Sequence, residues 1–502
     1  MNDILAEAAR LAQGDNPQRA VPLLDGILSE EPANVTAITL RGLTAQRLGM
    51  FDLAVRYFAD AHRIEPSNPA RKVNLGMALK GARRFEDAVR MLREADAMRP
   101  GHPATLNNLG SCLIANDMAG EAVAILRTAI TAKSGDPGVL NNLGIALART
   151  GDSEGAIAAY TNAIELRPHY TEARLNLADL LRSTNRLAEA KDQARIVLQA
   201  QPGHPRASNL VGMILEDEGN AADAIRVWQQ CLSQSGPNHP VGVNLMRLLI
   251  AQGRPAEAKP IARLLLETVP QSTSPLAYLA AALDQTGELE KLAELRGLDR
   301  FVRVIDLRAP AGFESLAQFN AQLCDELAKH PSLTFEPEGL VARKGRQSGE
   351  LAEASSPALA AMKEQAITAL RETWEHLGES KANHPFLAAR PADWSITMWG
   401  TILQPGGAVE PHIHAPNWLS GVYYPDFADS LPNPDEGAFS IGVLPDALGT
   451  GLATRTIRPR AGRMILFPSF LWHGTLPFAG NRPRISIAFD LVPEGIGRPH
   501  RI

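Results

Sequence analysis

The chain has 502 residues, of which 45% are hydrophobic and 21% charged, with a formal net charge of −5. That composition excludes a disordered chain and supplies apolar material for several packed domains. The small acidic excess argues against a general nucleic-acid or membrane-surface binder, which needs basic charge. Cys112, Cys231 and Cys324 stand far apart with no CxxC pair, against both a disulfide scaffold and a cysteine-ligated zinc site. The N-terminal residues lack the basic start and apolar core of a secretion signal. No apolar run approaches the roughly 18 residues of a membrane span. A soluble cytoplasmic protein is expected, with neither nucleic acid nor membrane as partner. Trp374, Trp394, Trp399, Trp418 and Trp472, five of the six tryptophans, follow residue 300, so the architecture is expected to change near there.

From the start, a period of 34 runs without a gap. Its eighth position reads Ala8, Gly42, Gly76, Gly110, Gly144, Ala178, Gly212, Met246 and Ala280. Its twentieth reads Ala20, Ala54, Ala88, Ala122, Ala156, Ala190, Ala224 and Ala258. Its thirty-second carries Pro32, Pro66, Pro100, Pro168, Pro202 and Pro270, with Ser134 and Gly236 in the other two units. Small residues at two fixed points let paired helices approach closely, and proline stops the second helix. This register resembles the tetratricopeptide repeat, a helix–turn–helix unit. Each pair leaves an apolar face that only stacking buries. The expected product is a superhelix over residues 1–295, about eight repeats and a capping helix. At position six, Asn74, Asn108, Asn142 and Asn176 follow one another, and Asn244 recurs later. The resemblance places first helices on the concave side. A ladder of amides there can pair with the backbone of an extended protein or peptide segment. Alternatively, these asparagines bond between neighbouring helices.

Residues 296–502 read differently. Pro357 to Leu377 has the apolar spacing of a helix. Arg343 to Glu353 is polar and reads as a loop. Short strands are predicted at Trp394–Leu403, Trp418–Tyr424, Ala438–Val443, Thr454–Ile457, Arg463–Phe467 and Ile485–Val492, parted by glycine and proline. Such spacing suggests an antiparallel sandwich or barrel. His412 and His414 lie two apart, so on an extended segment both rings face one side. His473 follows much later, and a close pair plus one distant histidine is how a barrel builds a three-ligand facial site. Beyond it, Arg484, Ser486, Ala488 and Asp490 share one face of a strand while Ile485, Ile487, Phe489 and Leu491 share the other. An arginine and a serine facing the lumen can clamp a carboxylate.

The segment from His412 to Asp490 resembles the iron(II)- and 2-oxoglutarate-dependent oxygenases, and more narrowly a bacterial and phage group of them. The shared core reads HIHAPNWLSGVYYP from His412, GRMILFPSFLWH ending at His473, and RIS from Arg484. The GRQSGE stretch from Gly345 to Glu350 is similar to that group's upstream segment. The resemblance implies a double-stranded β-helix of the jelly-roll or cupin-like kind with supporting helices. It implies iron(II) on His412 and His473, and 2-oxoglutarate as co-substrate on Arg484 with Ser486 assisting. It also implies O2 as oxidant and a co-substrate contact from Tyr424, with Tyr423 as the other candidate for the inward position. Most of that superfamily has a carboxylate where His414 stands. Three readings follow: His414 is the third ligand, His414 stays off the metal, or another carboxylate such as Glu410 supplies the charge. The first is favoured.

Joined, the halves suggest a dioxygenase that hydroxylates a protein or peptide recruited by the repeats. The alternatives are a non-catalytic repeat scaffold with a degenerate oxygenase domain, and a three-histidine dioxygenase that does without 2-oxoglutarate. A similar asparagine ladder occurs in O-linked N-acetylglucosamine transferases, but residues 300–502 lack a nucleotide-sugar Rossmann pattern. Substrate identity and oligomeric state are not legible in the sequence.

Overall fold

A computed structural model describes the chain except residues 1, 133–134, 336–340, 381–382, 428–434, 450–454, 481, 498 and 500–502. It divides into two compact units, Met1–Ile214 and Leu215–Ile502. No helix among the described residues is long and apolar enough to cross a membrane.

The first unit is a stack of helix pairs. Val35–Arg47 pairs with Phe51–Ile64, Pro69–Gly81 with Phe85–Met98, and the pattern continues to Leu187–Ala200. The 34-residue register has a direct packing cause. A Cβ on Gly42 would lie 2.8 Å from Phe58, on Gly76 2.9 Å from Leu92, on Gly110 2.6 Å from Leu126 and on Gly144 2.5 Å from Tyr160. Position eight therefore meets the same partner position in these four repeats. Alanines 54, 88, 122, 156 and 190 are fully buried at the opposite contact. Pro66, Pro100, Pro168 and Pro202 each stand two residues past the end of a second helix. Proline also opens first helices at Pro69, Pro103, Pro137 and Pro205, where its missing N–H costs nothing.

One further 34-residue register was not apparent in the sequence. The turns inside eight successive repeats carry a residue of positive φ, at Gly49, Arg83, Asp117, Gly151, Asn185, Gly219, Gly253 and Gly287. Glycine enters this region without strain, whereas other residues pay for the close approach of Cβ to the backbone. Residue types vary there because the geometry, not the side chain, is what repeats.

The second unit opens with repeat helices and continues into a ten-stranded antiparallel sheet. Its strands are β1 (Arg303–Asp306), β2 (Thr334–Phe335), β3 (Ala342–Gln347), β4 (Trp394–His412), β5 (Leu419–Asp426), β6 (Phe439–Ile441), β7 (Arg455–Ile457), β8 (Arg463–Pro468), β9 (His473–Thr475) and β10 (Arg484–Pro493). The order is β1-β8-β5-β10-β4-β9-β6-β7, with β3 also on β4 and β2 on β3. β4 is the spine. Its first half pairs with β10, its middle with β3, and its end with β9, where His412 stands opposite His473. The curled sheet is consistent with the jelly-roll expectation. Helix Leu316–Ala328 covers the face away from the cavity: Leu327 fills the space over Gly400, and the Tyr423 hydroxyl donates to Asn320. The predicted helix at Pro357 forms and extends to Gly378.

Two expectations are corrected. Arg343 to Glu353 is not simply a loop, since Ala342–Gln347 forms β3. That strand has an edge-like mixture of exposed and buried positions and is held by backbone pairing to β4, which side-chain propensity does not report. The Pro405-Gly406-Gly407 stretch does not end a strand either. β4 runs through it, with Gly406 at φ +78° marking the bend.

Repeat helices and sheet share real contacts inside the second unit. Thr273 donates to the Asn417 carbonyl at 2.8 Å, Trp472 Nε1 to the Ala277 carbonyl at 3.2 Å and Gln285 to the Leu448 carbonyl at 2.9 Å.

The left-handed turns predict opposite signs for one substitution. Gly151→Ala, at φ +84°, should destabilise by about 1 kcal/mol. Gly26→Ala, in an exposed helix interior with nothing within 4 Å, should stabilise by up to about 1 kcal/mol. Shifts of the urea midpoint in opposite directions check this.

Candidate metal centre

His412 closes β4, His473 opens β9, and His414 follows two residues after the end of β4. One nitrogen from each ring lies within 4.8 Å of the other two. Three hydrogen bonds decide which nitrogens face inward. His412 Nδ1 donates to the Glu410 carbonyl at 2.8 Å and His473 Nδ1 to the Leu471 carbonyl at 2.9 Å. His414 Nδ1 donates to Asp490 Oδ1 at 2.8 Å. Carbonyl and carboxylate oxygens only accept, so each ring carries a proton on Nδ1 and turns Nε2 toward the other two rings, where a neutral ring offers its lone pair.

The Nε2 atoms of His412 and His414 are 2.9 Å apart. Two lone pairs at that distance repel unless a proton or a metal cation lies between them. Metal–nitrogen bonds of about 2.1 Å meeting at a right angle separate their donors by about 3 Å, so the spacing suits cis ligands of a first-row metal. Burial, then the neighbouring His414, pushes the His412 imidazole down to about 3, even though part of its ring reaches the cavity surface. Burial also pushes His473 well below the usual histidine range. Neutral rings with fixed tautomers are what a divalent ion requires.

The three rings line a cavity of about 340 Å³. Phe467 and Phe439 flank His473, with ring centroids 4.5 and 5.6 Å away, and Trp399 lies 5.2 Å from His414. β10 sends Arg484, Ser486, Ala488 and Asp490 into the same cavity, as its alternation predicted. Arg484 is 3% exposed. Its Nη1 donates to Thr475 at 3.1 Å and its Nη2 to the Tyr424 hydroxyl at 3.0 Å. Its Nε is buried without a partner. Among the described residues no carboxylate bonds to this buried guanidinium, only neutral hydroxyls, which leaves it able to pair with an anion in the cavity. Burial lowers its proton affinity, but a guanidinium stays charged.

Tyr424, not Tyr423, is the inward tyrosine. Tyr423 stands opposite Ile487, on the outer face of the β5–β10 pair. Glu410 is not the missing carboxylate: it pairs with Arg343 at 3.0 Å and does not line the cavity. The carboxylate that does is Asp490, which sequence reasoning placed on the right face and gave no role. The signal was present, since Asp490 alternates with Arg484 and Ser486. The Gly345–Glu350 segment walls the site through Gln347, while Ser348 and Glu350 accept from Gly400 N and Met398 N.

The asparagines divide. Asn142 Nδ2 donates to Asn107 Oδ1 at 2.8 Å and Asn176 Nδ2 to Asn141 Oδ1 at 2.9 Å, each joining neighbouring repeats, while Asn176 Oδ1 accepts from Arg206. Asn74 and Asn108 are half-buried, with no side-chain bond among the described residues.

Family comparison agrees with this geometry. Residues 397–490 match the family model described as "Putative 2OG-Fe(II) oxygenase", and residues 79–144, 147–214 and 215–290 match the tetratricopeptide repeat. The chain carries both. No curated protein matches it. Among solved structures, it is similar to the APC/C hetero-tetramer Cut9-Hcn1 (16% identity, 49% of this chain and 48% of that chain, TM-score 0.41). It is also similar to the human IFIT1 dimer (15%, 56% and 67%, 0.40) and to PilF of Pseudomonas aeruginosa (20%, 42% and 96%, 0.36). The chain spans about half the length of the first of these.

His473→Ala should weaken Co(II) binding at least a hundredfold, read by anaerobic titration of the visible absorption band. Wild-type affinity in that variant would remove His473 from the metal centre.

Proposed function

We propose that the protein is an iron(II)- and 2-oxoglutarate-dependent dioxygenase of the cytoplasm that hydroxylates a protein or peptide substrate. The observation that carries this reading is the pairing, in one cavity, of three convergent imidazoles with a buried guanidinium whose Nε has no partner and to which no described carboxylate bonds. The family match at 397–490 supports it.

His412, His414 and His473 would hold iron. When bound, iron and 2-oxoglutarate together turn O2 into an oxidant for a C–H bond, releasing succinate and carbon dioxide. Arg484 would receive the far carboxylate through paired, charge-assisted hydrogen bonds, with Ser486 beside it. Thr475 and Tyr424 hold the guanidinium plane in position, and the Tyr424 ring lies 4.9 Å beneath it. Phe439 and Phe467 keep water from the His473 side, which strengthens every charge interaction inside.

A second cavity of about 550 Å³ supports a peptide as substrate. Repeat residues His239, Asn244 and Tyr278 line it together with Ile413, Ala415 and Pro416. Ile413 and Ala415 also line the metal cavity, so a segment held by these repeats lies against the ligand loop. Asn244 occupies the position-six site of its repeat. Tethering of this kind raises the effective concentration of substrate at the metal.

Purified protein with iron(II), ascorbate and O2 should form succinate from 2-oxoglutarate. Arg484→Ala should raise KM for 2-oxoglutarate at least tenfold and leave Co(II) affinity within about threefold. Oxygen consumption that is independent of 2-oxoglutarate and survives Arg484→Ala would instead establish a three-histidine dioxygenase.

Asn74→Ala with Asn108→Ala should weaken capture of a peptide substrate several-fold, measured as KM for the peptide. Succinate formation without peptide should stay unchanged. Equal loss of both would make the ladder structural.

A further inference from the structure

The cavity wall has a simple charge pattern. Of the described residues lining it, Arg484 alone is cationic and Asp490 alone is acidic. An imidazole that holds a metal through Nε2 is neutral. Asp490 is 3% exposed and fully engaged: Oδ1 accepts from His414 Nδ1 at 2.8 Å and from Ser420 Oγ at 2.6 Å, while Oδ2 accepts from Asn417 Nδ2 at 2.9 Å. A buried carboxylate held by three donors cannot swing toward the metal without abandoning them.

We propose that Asp490 is a positioning residue that acts on the metal through His414, fixing the ring and supplying the negative charge that the three neutral imidazoles do not. A carboxylate accepting the ring N–H of a metal-bound imidazole makes the other nitrogen a stronger donor. Its charge also opposes that of Arg484, so the fixed charges of the wall cancel. A divalent cation and a dianionic ligand then fill the cavity with no net charge left buried. This rests on the metal-centre reading, extends it beyond the three ligands, and makes His414 a ligand.

The test uses the full chain. Asp490→Asn keeps the size of the side chain and removes its charge. Ser420→Ala removes one hydrogen bond to the same carboxylate and leaves its charge. Co(II) affinity should fall about ten- to a hundredfold in Asp490→Asn and less than about threefold in Ser420→Ala. The Fe(III)/Fe(II) potential of iron-loaded protein should become more positive in Asp490→Asn, because the ferric state loses more from removal of a nearby anion. The wild type gives an independent reading: Co(II)-loaded protein should show three solvent-exchangeable, hyperfine-shifted ring N–H signals. Only two such signals would overturn the proposal. So would a folded Asp490→Asn matching Ser420→Ala in both affinity and potential. Failure of the wild type to bind Co(II) at all would overturn the metal-centre reading itself, and this inference with it.

Discussion

The site depends on three ring N–H bonds. Two are to main-chain carbonyls a pair of residues upstream of each ring, Glu410 for His412 and Leu471 for His473. The third is to a side chain, Asp490 on β10. Without those acceptors an imidazole has two tautomers and free rotation about χ2, and three of them need not present their lone pairs to one point. With them, β4, β9 and the loop after β4 each deliver one donor in one orientation. The antiparallel pairing that sets His412 opposite His473 supplies the closeness, and the hydrogen bonds supply the aim.

Much of the fold was legible because it is repetitive or alternating. The glycine at position eight could be seen as a close-approach site before its partners Phe58, Leu92, Leu126 and Tyr160 were known. The alternation of Arg484, Ser486 and Asp490 against Ile485, Ile487 and Phe489 gave the inward face of β10 directly. What was not legible depends on the identity of the neighbouring strand. β3 has a polar sequence and exists because β4 offers it a backbone ladder. The positive φ at Arg83, Asp117 and Asn185 was equally hidden, since only the shape of the turn repeats there.

In the site, the two adjacent tyrosines show the same limit. Alternation says that one faces in, but not which. The register that sets Tyr423 opposite Ile487 fixes the phase, and a cross-strand register is invisible in one sequence. The histidine pair was visible from spacing. The carboxylate behind it was not, because the contact joins residues 76 apart in the chain. The asparagine ladder was visible as a pattern, yet position five supplied half of its chemistry: Asn107 and Asn141 accept from the next repeat's asparagines.

The bonds from Thr273 to Asn417 and from Trp472 to Ala277 reach the chain beside two of the three histidines, three residues beyond His414 and one before His473. Thr273 and the helix Ser274–Gln285 thus brace the loops that carry His414 and His473, although by sequence they belong to the repeat array. The seam between the two compact units lies inside the repeat array, so the oxygenase carries the final repeats as part of its own body. A change in the number of repeats before residue 215 would therefore leave the bonds that hold the two histidine loops untouched.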